Sequence, residues 1–110
     1  TTLGDGTFHS MPGIFLGEEN KTNAELIAKY SYSNDISKMP PAFIFYSTLD
    51  AAVNPQKNSV ALATAMQNAG KTVEIHGYTD ANHGVGLGQN YEDFSKWHNS
   101  SCEFLESLGF

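Results

Sequence analysis

The alternation of apolar and polar positions predicts a strand–helix–strand unit in the middle of the chain. Residues 42–48 form a short run of aromatic and β-branched side chains, which is typical of a buried strand. Residues 72–78 alternate between apolar and polar side chains and predict a second strand. Between them, apolar residues recur at the spacing of a helix with one apolar face: Leu62, Ala65, Met66 and Ala69.

Capping residues give the bounds of this predicted helix. Asn54 followed by Pro55 is the usual opening of a helix, and Gly70 is a residue that readily ends one. Because a helical crossover returns the chain to the same end of the sheet, the two strands are predicted to be parallel. The central segment is therefore interpreted as a βαβ unit.

The flanking segments are predicted to be simpler. We interpret residues 1–39 as a loop and helix segment, in which residues 1–17 form a loop with at most one short strand. Thr22 or Asn23 caps a helix that runs to about Tyr32. Residues 40–110 hold the βαβ unit and one long C-terminal helix of about five turns. The apolar stripe of that last helix comprises Tyr91, Phe94, Trp97, Ser101, Phe104, Leu105 and Leu108.

Two residues with chemistry follow the two predicted strands. Asp50 comes directly after the first strand, and His83 lies in a glycine-rich loop after the second. The carboxyl ends of parallel strands meet at one edge of the sheet, where open α/β folds place their ligand sites. Adjacent strands lie about 4.8 Å apart, so the carboxylate and the imidazole are expected to touch. An Asp–His pair of this kind serves proton transfer, and we take Asp50 and His83 as the candidate catalytic residues.

Other interpretations of the same residues compete with this one. An Asp after a strand is often only a turn former, and a His beside glycine is often a solvated loop residue. The glycines at 84, 86 and 88 lack the spacing of a phosphate-binding loop. His76, with Asp80 and His83, is a weak candidate for a metal site, because a strand residue faces one side of the sheet. We expect no cofactor and no metal.

A nucleophile is the missing part of this chemistry. The Gly-x-Ser-x-Gly elbow of serine hydrolases is absent from the sequence. Ser10 precedes Asp50 and His83 in the required order but is not on a strand–turn–helix elbow. Ser47 and Ser59 are also badly placed, so no serine of the chain is assigned.

The length and the charge of the chain exclude several classes of protein. The chain has 110 residues, enough for one domain, and a net charge of −6 without any arginine. Its scattered lysines form no basic patch, so a nucleic-acid partner is not expected. No apolar run approaches the length of a membrane span. Cys102 is the only cysteine, so neither an internal disulfide nor a cysteine-based zinc site is expected.

The predicted sheet is too small to stand alone. Two strands are marginal in water, and parallel strands are normally flanked by others and covered on both faces. The chain begins at Thr1 without Met, and we expect it to be a processed, trimmed or partial product. The partner that completes the sheet is expected to be a missing N-terminal part of the same fold or a second copy of the chain.

Several motifs in order resemble the C-terminal part of α/β-hydrolase fold esterases. These are Pro40-Pro41, Thr48-Leu-Asp50-Ala-Ala-Val53-x-Pro55, Asn58-Ser59, Ala65-Met66-x-x-Ala69-Gly70, Val73-Glu74-Ile-His76 and His83-Gly84-Val-Gly86-Leu87. The nearest group is the bacterial acetyl-xylan esterase and feruloyl-esterase-like hydrolases. Asn54 and Asn82 depart from the residues usual in that group.

The resemblance implies a function for the pair. Asp50 matches the acid of a Ser-His-Asp triad and His83 matches the general base, whereas the serine and the oxyanion-hole loop of the family lie upstream of this chain. It implies a carboxylic ester hydrolase that acts on short acyl esters, such as acetylated plant polysaccharide, with the 110 residues alone inactive. Two alternatives stay open: a serine peptidase related to the prolyl oligopeptidases, and a non-catalytic α/β interaction module.

Overall fold

Two parallel strands and four helices make up the part of the chain that the computed structural model describes, which is residues 11–30 and 35–110. In chain order the elements are α1 (Met11–Leu16), α2 (Ala24–Lys29), β1 (Ala42–Ser47), α3 (Ser59–Asn68), β2 (Val73–Tyr78) and α4 (Trp97–Ser107). Short 3-10 turns lie at Glu18–Asn20, Ile36–Lys38 and Phe94–Lys96. None of the helices in the described ranges is long and apolar enough to cross a membrane.

The strands β1 and β2 pair directly, in parallel, as the pattern predicts. Their register runs from Ala42 opposite Val73 to Ser47 opposite Tyr78, so both strands end at the same level. Thr48 extends the ladder by one bond, because its amide donates to the Tyr78 carbonyl at 2.8 Å. Each observed strand lies within one residue of its predicted bounds, and the predicted βαβ unit is confirmed.

Aromatic side chains build the packing on one face of the sheet. Phe43 and Phe45 point to the same face because strand residues alternate. The Phe45 ring stacks on the Trp97 ring with centroids 4.7 Å apart, and the Phe43 ring lies 5.9 Å from the Phe104 ring. These contacts hold α4 against the sheet. A buried cluster lies at the end of β2 and consists of Tyr78, Ala81 and Phe94.

Helix α3 contacts both strands but begins later than predicted. Its first residue is Ser59, four positions after Pro55. Asn54 caps a separate turn instead, because its side-chain oxygen accepts from the Lys57 amide at 3.1 Å. The buried residues of α3 are Ala63 and Met66, of which only Met66 belongs to the predicted apolar face. The end is as predicted: Gly70 has φ 70°, and the Lys71 amide reaches back to the Met66 carbonyl at 2.9 Å.

The flanking predictions have mixed outcomes. Of the two predicted caps, Thr22 and Asn23, it is Asn23 that caps α2, with its side-chain oxygen accepting from the amides of Glu25 and Leu26. The prediction of a loop over residues 1–17 is wrong where α1 lies. Its six residues are too short to show helical periodicity, although Pro12 suits a first turn. His9, Ser10 and the predicted end of α2 near Tyr32 lie outside the described residues.

The predicted C-terminal helix begins later than predicted and opens with a 3-10 turn. The 3-10 turn Phe94–Lys96 precedes α4, and Tyr91 lies before that turn. Phe94 and Phe104 are buried, whereas Leu105 on the same predicted stripe is 47% exposed. Cys102 is exposed on α4.

The sheet is incomplete as a stand-alone fold. It has two strands among the described residues, so each strand has one neighbour. All residues from Ala42 to Tyr46 stay partly exposed, although their composition is that of a central strand. The buried Asn58 side-chain oxygen has no hydrogen-bond partner within the described part of the chain. These features are typical of a sheet that continues through strands from elsewhere.

We therefore predict that the isolated 110-residue chain self-associates or unfolds at low denaturant concentration. The reason is that half-exposed aromatic strands with open edges pair with whatever strand they meet. Sedimentation velocity over a range of concentrations measures the association, and urea unfolding measures the stability. A monomeric species of high stability would contradict the prediction.

Candidate active site

The turn after β1 holds the Asp50 carboxylate in one orientation. The Asp50 amide donates to the Ser47 carbonyl at 3.3 Å, which closes the turn. One carboxylate oxygen, Oδ1, accepts from the amides of Ala52 at 2.9 Å and Val53 at 2.8 Å. With Oδ1 occupied by backbone donors, Oδ2 is directed toward the loop that follows β2.

The other half of the pair is His83, which lies five residues after the end of β2. Its Nδ1 donates to Asp50 Oδ2 at 2.9 Å, so the contact expected from the topology is present. Because an ionised carboxylate only accepts, Nδ1 carries the proton and Nε2 is the basic nitrogen of the neutral ring. The side chain of Asp50 is 17% exposed and that of His83 is 45% exposed, so the base is the more accessible member.

Electrostatics keep the Asp50 carboxyl group ionised. Burial alone would raise its pKa, but the hydrogen bonds from His83, Val53 and Ala52 outweigh it, and the pKa of Asp50 lies below its ordinary value. A carboxylate beside Nδ1 stabilises an imidazolium ring whenever Nε2 takes up a proton. The pair is therefore arranged to accept and release a proton at Nε2.

A buried serine joins the two loops just inside this pair. The hydroxyl of Ser47 donates to the carbonyl of Ala81 and accepts from the Leu49 amide at 3.1 Å. Ser47 is 5% exposed, and Ala81 is fully buried. The Ser47 hydroxyl thus serves the structure and is not a nucleophile. The sequence signal for this structural role was the position of a polar residue at the end of an apolar strand.

Two aspartates close the histidine loop at its base. Asp80 accepts from the amides of Asp93 at 2.7 Å and Phe94 at 2.9 Å. Asp93 in turn accepts from the amide and the hydroxyl of Thr79 at 2.9 and 3.2 Å. The hydrogen bonds from the Thr79 amide and from the Lys96 side chain lower the pKa of Asp93. Both ends of the loop that carries His83 are thus tied to each other.

The glycines of this loop serve its backbone path. Gly84, Gly86 and Gly88 all have positive φ, a region that other residues rarely adopt. Gly88 also lies against the ring of Phe94, where a Cβ atom would overlap the ring. The Trp97 indole donates to the Leu87 carbonyl at 3.0 Å and fixes the far side of the loop to α4.

The remaining candidate residues are not brought to the pair. His76 lies on the sheet face, where its Nε2 contacts Glu74 Oε1 at 2.6 Å and its ring lies 5.1 Å from Phe43. Within residues 11–30 and 35–110, no group of three or more His, Cys, Asp or Glu side chains could hold a metal ion. Ser59 is the first residue of α3. The structure thus assigns no nucleophile to the pair among these residues.

The lowered pKa of Asp50 gives a pH prediction. A carboxyl group with a lowered pKa in the folded state stabilises the fold above its unfolded pKa of about 3.9, and this contribution is lost as the pH falls through the folded pKa. We expect the stability difference between the wild type and Asp50→Asn to shrink as the pH falls below about 4. Urea unfolding at a series of pH values measures it.

Asp35→Asn is the matched control for this experiment. Asp35 forms an exposed ion pair with Lys38 at 3.4 Å, and exposed pairs of this kind contribute little. Its stability difference should therefore be small at every pH. A gap for Asp50→Asn that widens as the pH falls below about 4 would contradict the prediction.

Comparison with solved structures gives two similar chains. An acetyl ester-xyloside bifunctional hydrolase from Caldicellulosiruptor lactoaceticus is 27% identical with a TM-score of 0.88, over 99% of this chain and 39% of its own. Esterase 2 of Thermogutta terrifontis, phosphoramylated by tabun, is 28% identical with a TM-score of 0.64, over 96% of this chain and 39% of its own. This chain therefore spans 39% of the length of each.

Both similar structures are hydrolases of the α/β-hydrolase superfamily, as the motifs imply. Comparison with curated proteins finds no match. The family model described as the prolyl oligopeptidase family matches residues 8–108, which is nearly the whole sequence. The chain therefore belongs to the prolyl oligopeptidase family, and its fold is that of part of an α/β-hydrolase.

Proposed function

We propose that this chain supplies the acid and the base of a Ser-His-Asp carboxylic ester hydrolase. The observation that carries the proposal is the 2.9 Å hydrogen bond between His83 Nδ1 and Asp50 Oδ2 at the end of two parallel strands. In this assignment Asp50 is the triad acid and His83 is the general base. The nucleophilic serine and the oxyanion hole come from a part of the complete protein outside this chain.

The proposed reaction has two acyl-transfer steps. The serine hydroxyl attacks the acyl carbonyl while His83 Nε2 takes its proton, and Asp50 stabilises the resulting imidazolium. The imidazolium then gives this proton to the departing alcohol, which leaves an acyl-serine. Water then attacks the acyl-serine while His83 Nε2 takes its proton. The imidazolium returns that proton to the serine oxygen as the carboxylic acid product is released. Backbone amides of the oxyanion hole hold the charge that develops on the carbonyl oxygen.

The similar structures favour an ester substrate. One is an acetyl ester-xyloside hydrolase and the other is an esterase, at 27% and 28% identity. Short acyl esters, with acetylated xylan as the polysaccharide example, are therefore the proposed substrate class. The net charge of −6 also suits neutral substrates better than acidic ones.

Peptide hydrolysis is the second candidate, because the matching family takes its description from prolyl oligopeptidases. The same acid and base would serve it, since the two reactions differ mainly in the leaving group. The third interpretation, a non-catalytic module, predicts that Asp50 and His83 are not hydrogen-bonded and line no pocket. The 2.9 Å contact stands against the first of these two expectations.

Ester and peptide turnover separate the first two candidates. We expect the protein expressed from its complete reading frame to release acetate from acetylated xylan and from 4-nitrophenyl acetate. We expect no cleavage of proline-containing chromogenic peptides under the same conditions. Efficient peptide cleavage with slow ester turnover would reverse the assignment.

Substitutions in the same complete protein test the two roles. His83→Ala should abolish acyl transfer, because no group is left to take the serine proton. Asp50→Asn should keep the fold and lower kcat by a factor on the order of 10⁴, because the amide favours the wrong tautomer of His83. Steady-state ester hydrolysis measures both, with circular dichroism as a check of folding.

His98→Ala and Asp35→Asn are the controls for these two variants. His98 is exposed on α4, and Asp35 precedes an exposed 3-10 turn, so both changes remove the same chemical group elsewhere. Both controls should retain normal turnover. Normal turnover in His83→Ala or Asp50→Asn would reject the roles given to these residues.

A further inference from the structure

A single buried hydroxyl connects the turn of Asp50 with the loop of His83. Ser47 Oγ donates to the Ala81 carbonyl and accepts from the Leu49 amide at 3.1 Å. Leu49 immediately precedes Asp50, and Ala81 lies two residues before His83. The hydroxyl therefore bonds to the backbone next to each member of the pair.

The position of this link in the sheet makes it effective. The ladder between β1 and β2 ends with the bond from the Thr48 amide to the Tyr78 carbonyl at 2.8 Å. Beyond that bond the chains diverge into loops, which are joined by the Ser47–Ala81 bond and then by the Asp50–His83 bond. The serine hydroxyl thus extends cross-strand hydrogen bonding to the level of the candidate pair.

Burial makes the link hard to replace. Ser47 is 5% exposed and Ala81 is fully buried, so water has little access to the carbonyl that the hydroxyl satisfies. A buried backbone group without its partner is costly, and the loop would shift to recover one. Any such shift moves the Ala81 backbone and, with it, the ring of His83.

We propose that Ser47 is a positioning residue for the reaction, which sets the distance between Asp50 and His83 through the backbone of Leu49 and Ala81. This inference rests on the proposed function for its effect on turnover. The hydroxyl does not act as the nucleophile, because its proton is directed to the Ala81 carbonyl. Small displacements of a proton-transfer pair lower the rate strongly. Ser47 therefore affects kcat without contacting the substrate.

Two substitutions at this position test the inference in the complete protein. Ser47→Ala removes the hydroxyl, and Ser47→Cys keeps the side-chain shape, with a somewhat larger sulfur in place of the oxygen, but donates only weakly. We expect Ser47→Ala to lower kcat for 4-nitrophenyl acetate by about 10- to 100-fold with little change in KM, because misalignment affects the chemical step. The Cys variant should resemble Ala. If Ser47 acted by packing alone, the Ser47→Cys variant would resemble the wild type instead.

The matched control is Ser101→Ala. Ser101 also donates its hydroxyl to a backbone carbonyl, that of His98 at 2.7 Å, but on α4 and away from the two loops. Its removal should leave kcat unchanged. A double variant adds a second check: in the Asp50→Asn background, Ser47→Ala should have little further effect, because the alignment it protects is already lost.

Hydrogen exchange gives a readout that does not need ester turnover. The amides of Ala52 and Val53 donate to Asp50, so they should exchange faster in Ser47→Ala than in the wild type. In Ser101→Ala these amides should exchange at the wild-type rate. Unchanged kcat and unchanged exchange in a folded Ser47→Ala variant would overturn the inference and leave the proposed function intact. A wild-type protein without ester turnover would reject the proposed function, and the exchange rates alone would then decide the role of Ser47.

Discussion

The parallel pairing of β1 with β2 is the constraint on which the rest of this structure depends. Ser47 lies opposite Tyr78 at the end of the register, so the chain leaves both strands at one level. An aspartate and a histidine that are distant in sequence are thereby brought to hydrogen-bond distance. A shift of one residue in register would turn every side chain of one strand to the other face and move its loop along the edge.

Aromatic packing maintains that register from one side. Phe45 lies between the Trp97 and Phe94 rings, with centroids 4.7 and 5.8 Å away, and the Phe94 ring also lies 5.7 Å from that of Tyr78. Aromatic pairs favour offset and edge-to-face arrangements, so these rings resist sliding as well as separation. Because Phe94 follows the histidine loop directly, the same packing that holds α4 on the sheet also holds the end of that loop. The stability of the sheet and the geometry of the pair are therefore coupled.

Local patterns in the sequence account for what could be predicted here. The two strands, the cap at Asn23 and the end at Gly70 depend on neighbouring residues, and all were predicted correctly. The contact of Asp50 with His83 also followed, because parallel topology fixes where strands end. Their catalytic roles stay predictions.

Two short local features and the contacts between distant residues were missed. Helix α1 is too short for periodicity, and α3 begins at Ser59 because Asn54 caps a turn of its own. The bonds of Ser47 and of Asp80 cross 34 and up to 14 positions of sequence, so no local pattern announces them. The Asp50–His83 contact is thus predictable from local pattern and topology, whereas the hydrogen bonds that hold the two loops are not.

The reciprocal bonds of Asp80 and Asp93 have a consequence for the variability of this region. A loop that is closed at its base by its own flanking residues transmits little of its internal conformation to the strands, and the entropy cost of lengthening such a loop grows slowly. The exposed side chains of Gln89 and Asn90 can therefore vary without disturbing the sheet, whereas Gly88 is fixed by its contact with the Phe94 ring. The rim beside the imidazole can then change while the hydrogen bond between Asp50 and His83 beneath it is kept.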